Sequence, residues 1–132
     1  DIIDFAGVKG ELGKVVAGGA MMGPAVENLS YPTTKTTSGL IMLSAAAAEP
    51  PQVNPCIRCG RCVEYCPMGL EPVEVNQAYA ARDVQELGKL HVDYCFNCGS
   101  CTFVCPAKRP CTQMMGLAKA FYLGEIKKGG NK

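Results

Sequence analysis

Residues 56–67 read CIRCGRCVEYCP, and residues 95–106 repeat the pattern as CFNCGSCTFVCP. Each stretch carries four cysteines separated by two, two and three residues, with proline directly after the last. A chain of 132 residues with nine cysteines has thus committed eight of them to two matching sets. The 48% hydrophobic fraction counts those cysteines and overstates the core. A small domain with a thin core draws its stability from disulfides or metal centres instead.

The spacing is the one used by two-cluster ferredoxins. Three thiols set two residues apart share one tight loop, whose backbone amides can donate to cluster sulfurs. A fourth ligand must approach from the far side, beyond that loop's reach, so it comes from the other motif. This assigns one [4Fe-4S] cluster to Cys56, Cys59, Cys62 and Cys105, and a second to Cys95, Cys98, Cys101 and Cys66. Gly60 and Gly99 hold matching places where the backbone passes close to a cluster. Two other uses of the thiols are weighed against this one. Structural zinc takes paired CxxC motifs, which would make the segment a zinc-stabilised assembly module without redox chemistry, but the doubled set of four with trailing proline is not a zinc pattern. Disulfides fit poorly with nine cysteines and no export signal.

The sequence argues against several other classes. Residues 1–10, DIIDFAGVKG, lack the basic start and apolar run of a signal peptide. The longest apolar run, residues 39–48, is about half of what a membrane span needs. The first residue is not Met, and the chain opens as if inside an amphipathic helix, so it is expected to be a piece of a longer polypeptide. The formal charge of +1 and the lack of a Lys/Arg run interleaved with aromatics speak against a nucleic-acid partner. Residues 1–55 carry three Lys against five acids, whereas residues 56–132 carry ten Lys or Arg against seven. With eight thiolates and two cores of about 2+, the ligated sites add about −4 and bring the total to about −3. Arg58, Arg61, Lys108 and Arg109 lie in or just after the cysteine loops, either as solvated loop charges or as groups that offset cluster charge or dock an acidic electron donor.

Two regimes of composition meet at residues 49–55, EPPQVNP, an extended linker with three prolines in seven residues. Upstream, residues 14–26 and 33–45 combine β-branched side chains with glycine and predict strands after a short leading helix. Downstream, Pro72 opens one helix, and Asp83 with Glu86 predicts a capping box on a second. A third helix starts at Pro110 and ends at Gly129 and Gly130. Its apolar side chains Met114, Leu117, Ala118, Phe121, Tyr122 and Ile126 predict a core-facing stripe, with a partner-binding or membrane-surface helix as the sharper alternative. Tyr65, Tyr94, Phe96 and Phe103 stand beside ligand cysteines and are expected to shield them from water. Cys111 reads as a small buried residue at a helix start, and His91 as a surface or loop residue. No catalytic residue is visible: there is no Ser/His/Asp set, paired carboxylate site or phosphate-cradling loop.

Four stretches carry a family resemblance: GGAMMG (18–23), TKTTSGL (34–40), PCIRCGRCVEYCPMGLEP (55–72) and CPAKRP (105–110). Together they resemble the C subunit of the Rnf electron-transport complex, an ion-translocating ferredoxin:NAD oxidoreductase. The resemblance implies an oxidoreductase subunit, peripheral on the cytoplasmic face of the cell membrane, whose partners are an iron-sulfur subunit and membrane subunits of the complex. It implies an α+β chain in which residues 1–48 end a β-grasp, SLBB-like domain and residues 49–132 form a mostly α-helical two-cluster ferredoxin domain. The family's NADH and FMN sites lie upstream of this stretch, so the chain alone is expected to bind neither and to act as an electron relay. Ala20, where the family has proline, and Cys111, where it has an apolar residue, depart from the pattern without touching a ligand cysteine. The cobalamin reductase of bacterial microcompartments is similar in both regions and is the alternative, with CPAKRP favouring Rnf.

Overall fold

A computed structural model describes residues 2–129. Its contacts divide the chain into two compact units, Asp1–Pro51 and Gln52–Lys132, so helices and one small sheet make an α+β protein.

The first unit contains α1 (Ile2–Ala6), β1 (Leu12–Ala17), β2 (Leu40–Ser44) and α2 (Ala45–Ala48). The strands pair antiparallel, with Val15 opposite Met42 and Ala17 opposite Leu40. The expected strand over 14–26 stops at Gly18, whose φ of +97° turns the chain out of the ladder. GGAMMG is therefore a reversal: Gly23 N–H donates to Gly19 O at 2.8 Å, and Val26 N–H returns to Val15 O at 2.8 Å. A Cβ on Gly23 would stand 2.5 Å from Ala17 O, which explains glycine there. The expected strand over 33–45 begins only at Leu40. Before it, Thr34 N–H donates to Thr37 Oγ1 at 3.1 Å and Thr37 N–H to Thr34 O at 3.0 Å, a local turn that competes with the ladder. The strand then ends at Ser44, whose hydroxyl caps α2 by accepting from Ala47 N–H. Among the described residues of this unit, Val15 is the buried hydrophobic side chain.

The second unit holds α3 (Arg61–Glu64), α4 (Pro72–Ala80), α5 (Val84–Lys89), a 3-10 turn (Val92–Tyr94), α6 (Ser100–Phe103) and α7 (Cys111–Gly129). Pro72 opens α4, where its missing N–H costs nothing. Asp83 caps α5, its Oδ1 accepting from Glu86 N–H at 2.9 Å. The Glu86 carboxylate, expected to complete a capping box, instead accepts from Lys89 Nζ at 2.8 Å. Between α4 and α5, Arg82 takes φ +57° and lays its guanidinium over the rings of Tyr79 and Phe121, at 4.7 and 5.0 Å. Leu70, Val75, Ala78, Leu87, Val92, Met115 and Ala118 form the core, with Cys66 and Cys95 packed against it.

The buried face of α7 meets the expected stripe at Ala118, Phe121 and Tyr122 and departs from it at Leu117 and Ile126. Cys111, Met115 and Ala118 are buried and Tyr122 is packed on the core, a run spaced four, three and four residues apart. Leu117 is 53% exposed and Ile126 47%. The apolar pattern admits both faces, because Met115 is as apolar as Met114 and Leu117, and Cys111 stands one turn before them. The expected stop at Gly129 and Gly130 is met as far as Gly129, and Gly130 lies outside the described residues. Because Met115 is 1% exposed and Leu117 53%, Met115→Ala lowers folding stability by roughly 2–5 kcal/mol and Leu117→Ala by under about 0.5 kcal/mol, read from anaerobic urea midpoints.

Candidate metal centre

The two cysteine motifs fold alike, residue by residue. Arg58 and Asn97 have φ of +51° and +56°, Gly60 and Gly99 +78° and +89°, and Gly69 and Lys108 +64° and +54°. Each of these is the same step in its motif. The hydrogen bonds repeat as well: Val63 N–H to Gly60 O at 2.9 Å matches Thr102 N–H to Gly99 O at 3.1 Å, and Gly69 N–H to Cys66 O at 3.0 Å matches Lys108 N–H to Cys105 O at 3.1 Å. Gly60 and Gly99 cap the one-turn helices α3 and α6 in a left-handed conformation that glycine adopts without steric cost. Those helices pack on each other, and the end of the second motif, at Cys105, comes beside the first.

A cavity of about 290 Å³ opens between them. Cys56, Cys59 and Cys62 of the first motif line it together with Cys105 of the second. Cys111 also reaches it, from the first turn of α7. Val73, Ala80 and Met114 give it apolar wall. Asn76 lines the same cavity, and its Oδ1 is buried with no hydrogen-bond partner.

The other four thiols are marked by polar partners. Leu70 N–H donates to Cys66 Sγ at 3.3 Å. Cys95 Sγ lies 3.4 Å from Asn97 Oδ1, Cys98 Sγ 3.4 Å from Ser100 Oγ, and Cys101 Sγ 3.4 Å from Thr112 Oγ1. Cys66 and Cys95 pack on the same core cluster. Burial pushes the Cys62 and Cys101 thiols up from their ordinary range, with neighbouring thiols adding to the effect. Cys111 is pushed up to about 12, by burial first and then by Cys105, Cys101 and Cys62 nearby.

Among the described residues, no three His, Cys, Asp or Glu side chains converge as ligands of one metal ion. Tetrahedral zinc with Zn–S near 2.3 Å would draw its thiolates to about 3.8 Å of one another. A cubane spreads its four thiolates over four irons and so does not require that convergence.

Of the sequence expectations around the site, that for His91 as a surface or loop residue is met and that for the aromatics is not. Tyr65, Tyr94, Phe96 and Phe103, expected to shield the cysteines, are all more than half exposed, Phe103 at 75%. Side chains one or two residues apart on a helical turn point in different directions, so turning the cysteine inward turns its aromatic neighbour out. Arg58, Arg61 and Arg109 line the cavity, whereas Lys108 stands exposed on the outer side near Phe103. His91 is exposed and stacks on Tyr94 with ring centroids 5.3 Å apart. Sequence reasoning missed Asn76, Thr112 and Lys119, whose Nζ donates to Cys95 O at 2.6 Å. Thr112 and Lys119 are separated by seven residues on one helix, a spacing that could have singled them out.

Residues 55–108 match the protein-family model described as a 4Fe-4S dicluster domain. The chain is 40% identical over 89 residues to the C subunit of the ion-translocating oxidoreductase complex of Rhodobacter capsulatus, covering 67% of this chain and 17% of that protein. It is 45% identical over 73 residues to the C subunit of the proton-translocating ferredoxin:NAD(+) oxidoreductase complex of Clostridium ljungdahlii, covering 54% and 16%. Over the matched stretch the chain is homologous to the C subunit of the Rnf complex. A third such protein, from the Na(+)-translocating complex of Acetobacterium woodii, is 37% identical over 78 residues, covering 59% of this chain and 17% of the relative. The chain thus spans about a sixth of the length of these Rnf subunits. The stretch it shares with them holds an iron-sulfur domain.

Cys111 lies beside Cys105 without being needed to complete a set of four. Replacing it with alanine leaves iron and acid-labile sulfide per chain unchanged and lowers stability by about 1 kcal/mol, whereas loss of iron would make it a ligand.

Proposed function

We propose that the chain is an electron relay built on two [4Fe-4S] clusters, one held by Cys56, Cys59, Cys62 and Cys105 and the other by Cys95, Cys98, Cys101 and Cys66. The observation that carries this reading is the cavity lined by three thiols of the first motif and the last thiol of the second. Clusters of this kind supply one-electron transfer. The protein's part is to hold the thiolates, close the site with Val73, Ala80 and Met114, and fix the spacing between centres through the packing of α3 on α6.

In this reading, residues 1–48 close a β-grasp, SLBB-like domain and residues 49–132 are the relay. The relay serves the peripheral subunit of an ion-translocating ferredoxin:NAD oxidoreductase at the cytoplasmic face of the membrane. It passes electrons between a flavin of the complete subunit and a further iron-sulfur subunit. No residue of the chain is assigned to NADH or FMN. Among the described residues no helix is long and apolar enough to cross a membrane, so contact with the membrane subunits falls to protein surfaces.

Anaerobically purified protein is expected to be brown, to bleach with dithionite and to contain about eight irons and eight acid-labile sulfides per chain. A colourless protein carrying zinc, or one with about four irons, contradicts the two-cluster reading.

A further inference from the structure

The last helix carries a second stripe that its core-facing side chains do not explain. Thr112, Gly116 and Lys119 are spaced four and three residues apart and so share one face of α7. All three address the cysteine set 95, 98, 101 and 66. Thr112 Oγ1 lies 3.4 Å from Cys101 Sγ. Lys119 Nζ donates to the carbonyl of Cys95 at 2.6 Å. Gly116 faces the Asn97 carboxamide, to which a Cβ would come within 3.4 Å, and Asn97 Oδ1 in turn lies 3.4 Å from Cys95 Sγ.

The direction of the Thr112 hydroxyl is settled by its neighbours. Thr112 N–H donates to Thr102 Oγ1 at 2.8 Å, and the Thr102 hydroxyl donates to Thr112 Oγ1 at 2.8 Å. A ligand thiolate can only accept, so in the cluster-bound protein the 3.4 Å contact has Thr112 Oγ1 donating to Cys101 Sγ. A hydrogen bond to a ligand sulfur and a nearby cation both stabilise the more negative, reduced state of an iron-sulfur centre. Of the arginines lining the other set's cavity, Arg58 and Arg61 are exposed and so more strongly screened by solvent, while Arg109 is partly buried and serves that set; Thr112 and Lys119, also partly buried, contact the set of Cys95 and Cys101.

We infer that the Thr112–Gly116–Lys119 face of α7 sets the reduction potential of one centre alone, raising that of the centre held by Cys95, Cys98, Cys101 and Cys66. The inference rests on the two-cluster reading above and goes beyond it: the two centres are tuned separately, although their cysteine motifs match.

The test is a redox titration of the holo-protein followed by EPR. Thr112→Val and Lys119→Met are each expected to lower one of the two midpoints and leave the other in place. The shift amounts to roughly tenfold in the reduced-to-oxidised ratio at fixed potential, about 59 mV for a one-electron couple. Thr112→Ser and Lys119→Arg, which keep the hydroxyl and the charge, retain the wild-type midpoints. Midpoints that stay fixed in both Thr112→Val and Lys119→Met, or that move equally for both centres, overturn the inference while leaving the two-cluster reading intact. A wild-type protein with fewer than about eight irons overturns that reading, and the inference with it. Should Lys119→Met lose iron, the Thr112→Val and Thr112→Ser pair decides, since valine matches threonine in shape and removes only the hydroxyl.

Discussion

A loop with thiols at every third position can turn three of them inward, and the fourth, four residues on, then leaves in another direction. That constraint organises the whole second unit. It requires left-handed backbone at Gly60 and Gly99, where each motif folds into a one-turn helix, and it leaves Cys66 and Cys105 just past the helix ends, where Cys105 joins the cavity lined by the first motif. Neither α3 nor α6, at four residues each, is a stable element by itself. In the relay reading the ligands of each centre bridge the two loops, so the clusters act as folding cross-links as well as electron carriers. The chain has few alternatives, because its core is a single group of small and medium side chains around Leu87, Val75 and Met115.

The last helix joins these roles. One of its faces, Cys111, Met115, Ala118 and Tyr122, closes the core. An adjoining face, Thr112, Gly116 and Lys119, meets the second cysteine set through hydrogen bonds to Cys101 and to the carbonyl of Cys95. The first residue of the helix reaches the cavity lined by Cys105. Packing and polar contacts around the thiols are therefore carried by the same nineteen residues, and a change on either face is felt by the other.

Much of this was legible in the sequence, for a definite reason. The cysteine spacing and the paired glycines are local signals, and the conformations at residues 58, 60 and 69 recur at 97, 99 and 108 even where glycine is replaced by lysine or arginine faces asparagine. Pro72 and Asp83 marked two helix starts for the same reason. What the sequence hid depends on direction. The four aromatics beside the cysteines turned out to be exposed because sequence adjacency says nothing of facing, and the stripe of α7, right at Ala118, Phe121 and Tyr122, took Leu117 where Met115 is buried because the two are equally apolar. The strands of the first unit were overextended because threonine, β-branched and so counted towards a strand, satisfies its own turn at Thr34 and Thr37.

The exchange of the fourth cysteine between motifs is the centre of the account, and paired substitutions test it most directly. Cys56→Ala with Cys105→Ala removes two ligands from one centre if the motifs cross, and the protein should retain one intact cluster of about four irons. Cys56→Ala with Cys66→Ala then damages both centres. Iron, sulfide and EPR measurements on the two variants distinguish the cases: one surviving cluster in the first and none in the second is the outcome expected here, and the reverse pattern would mean that each motif binds its own four-thiol site.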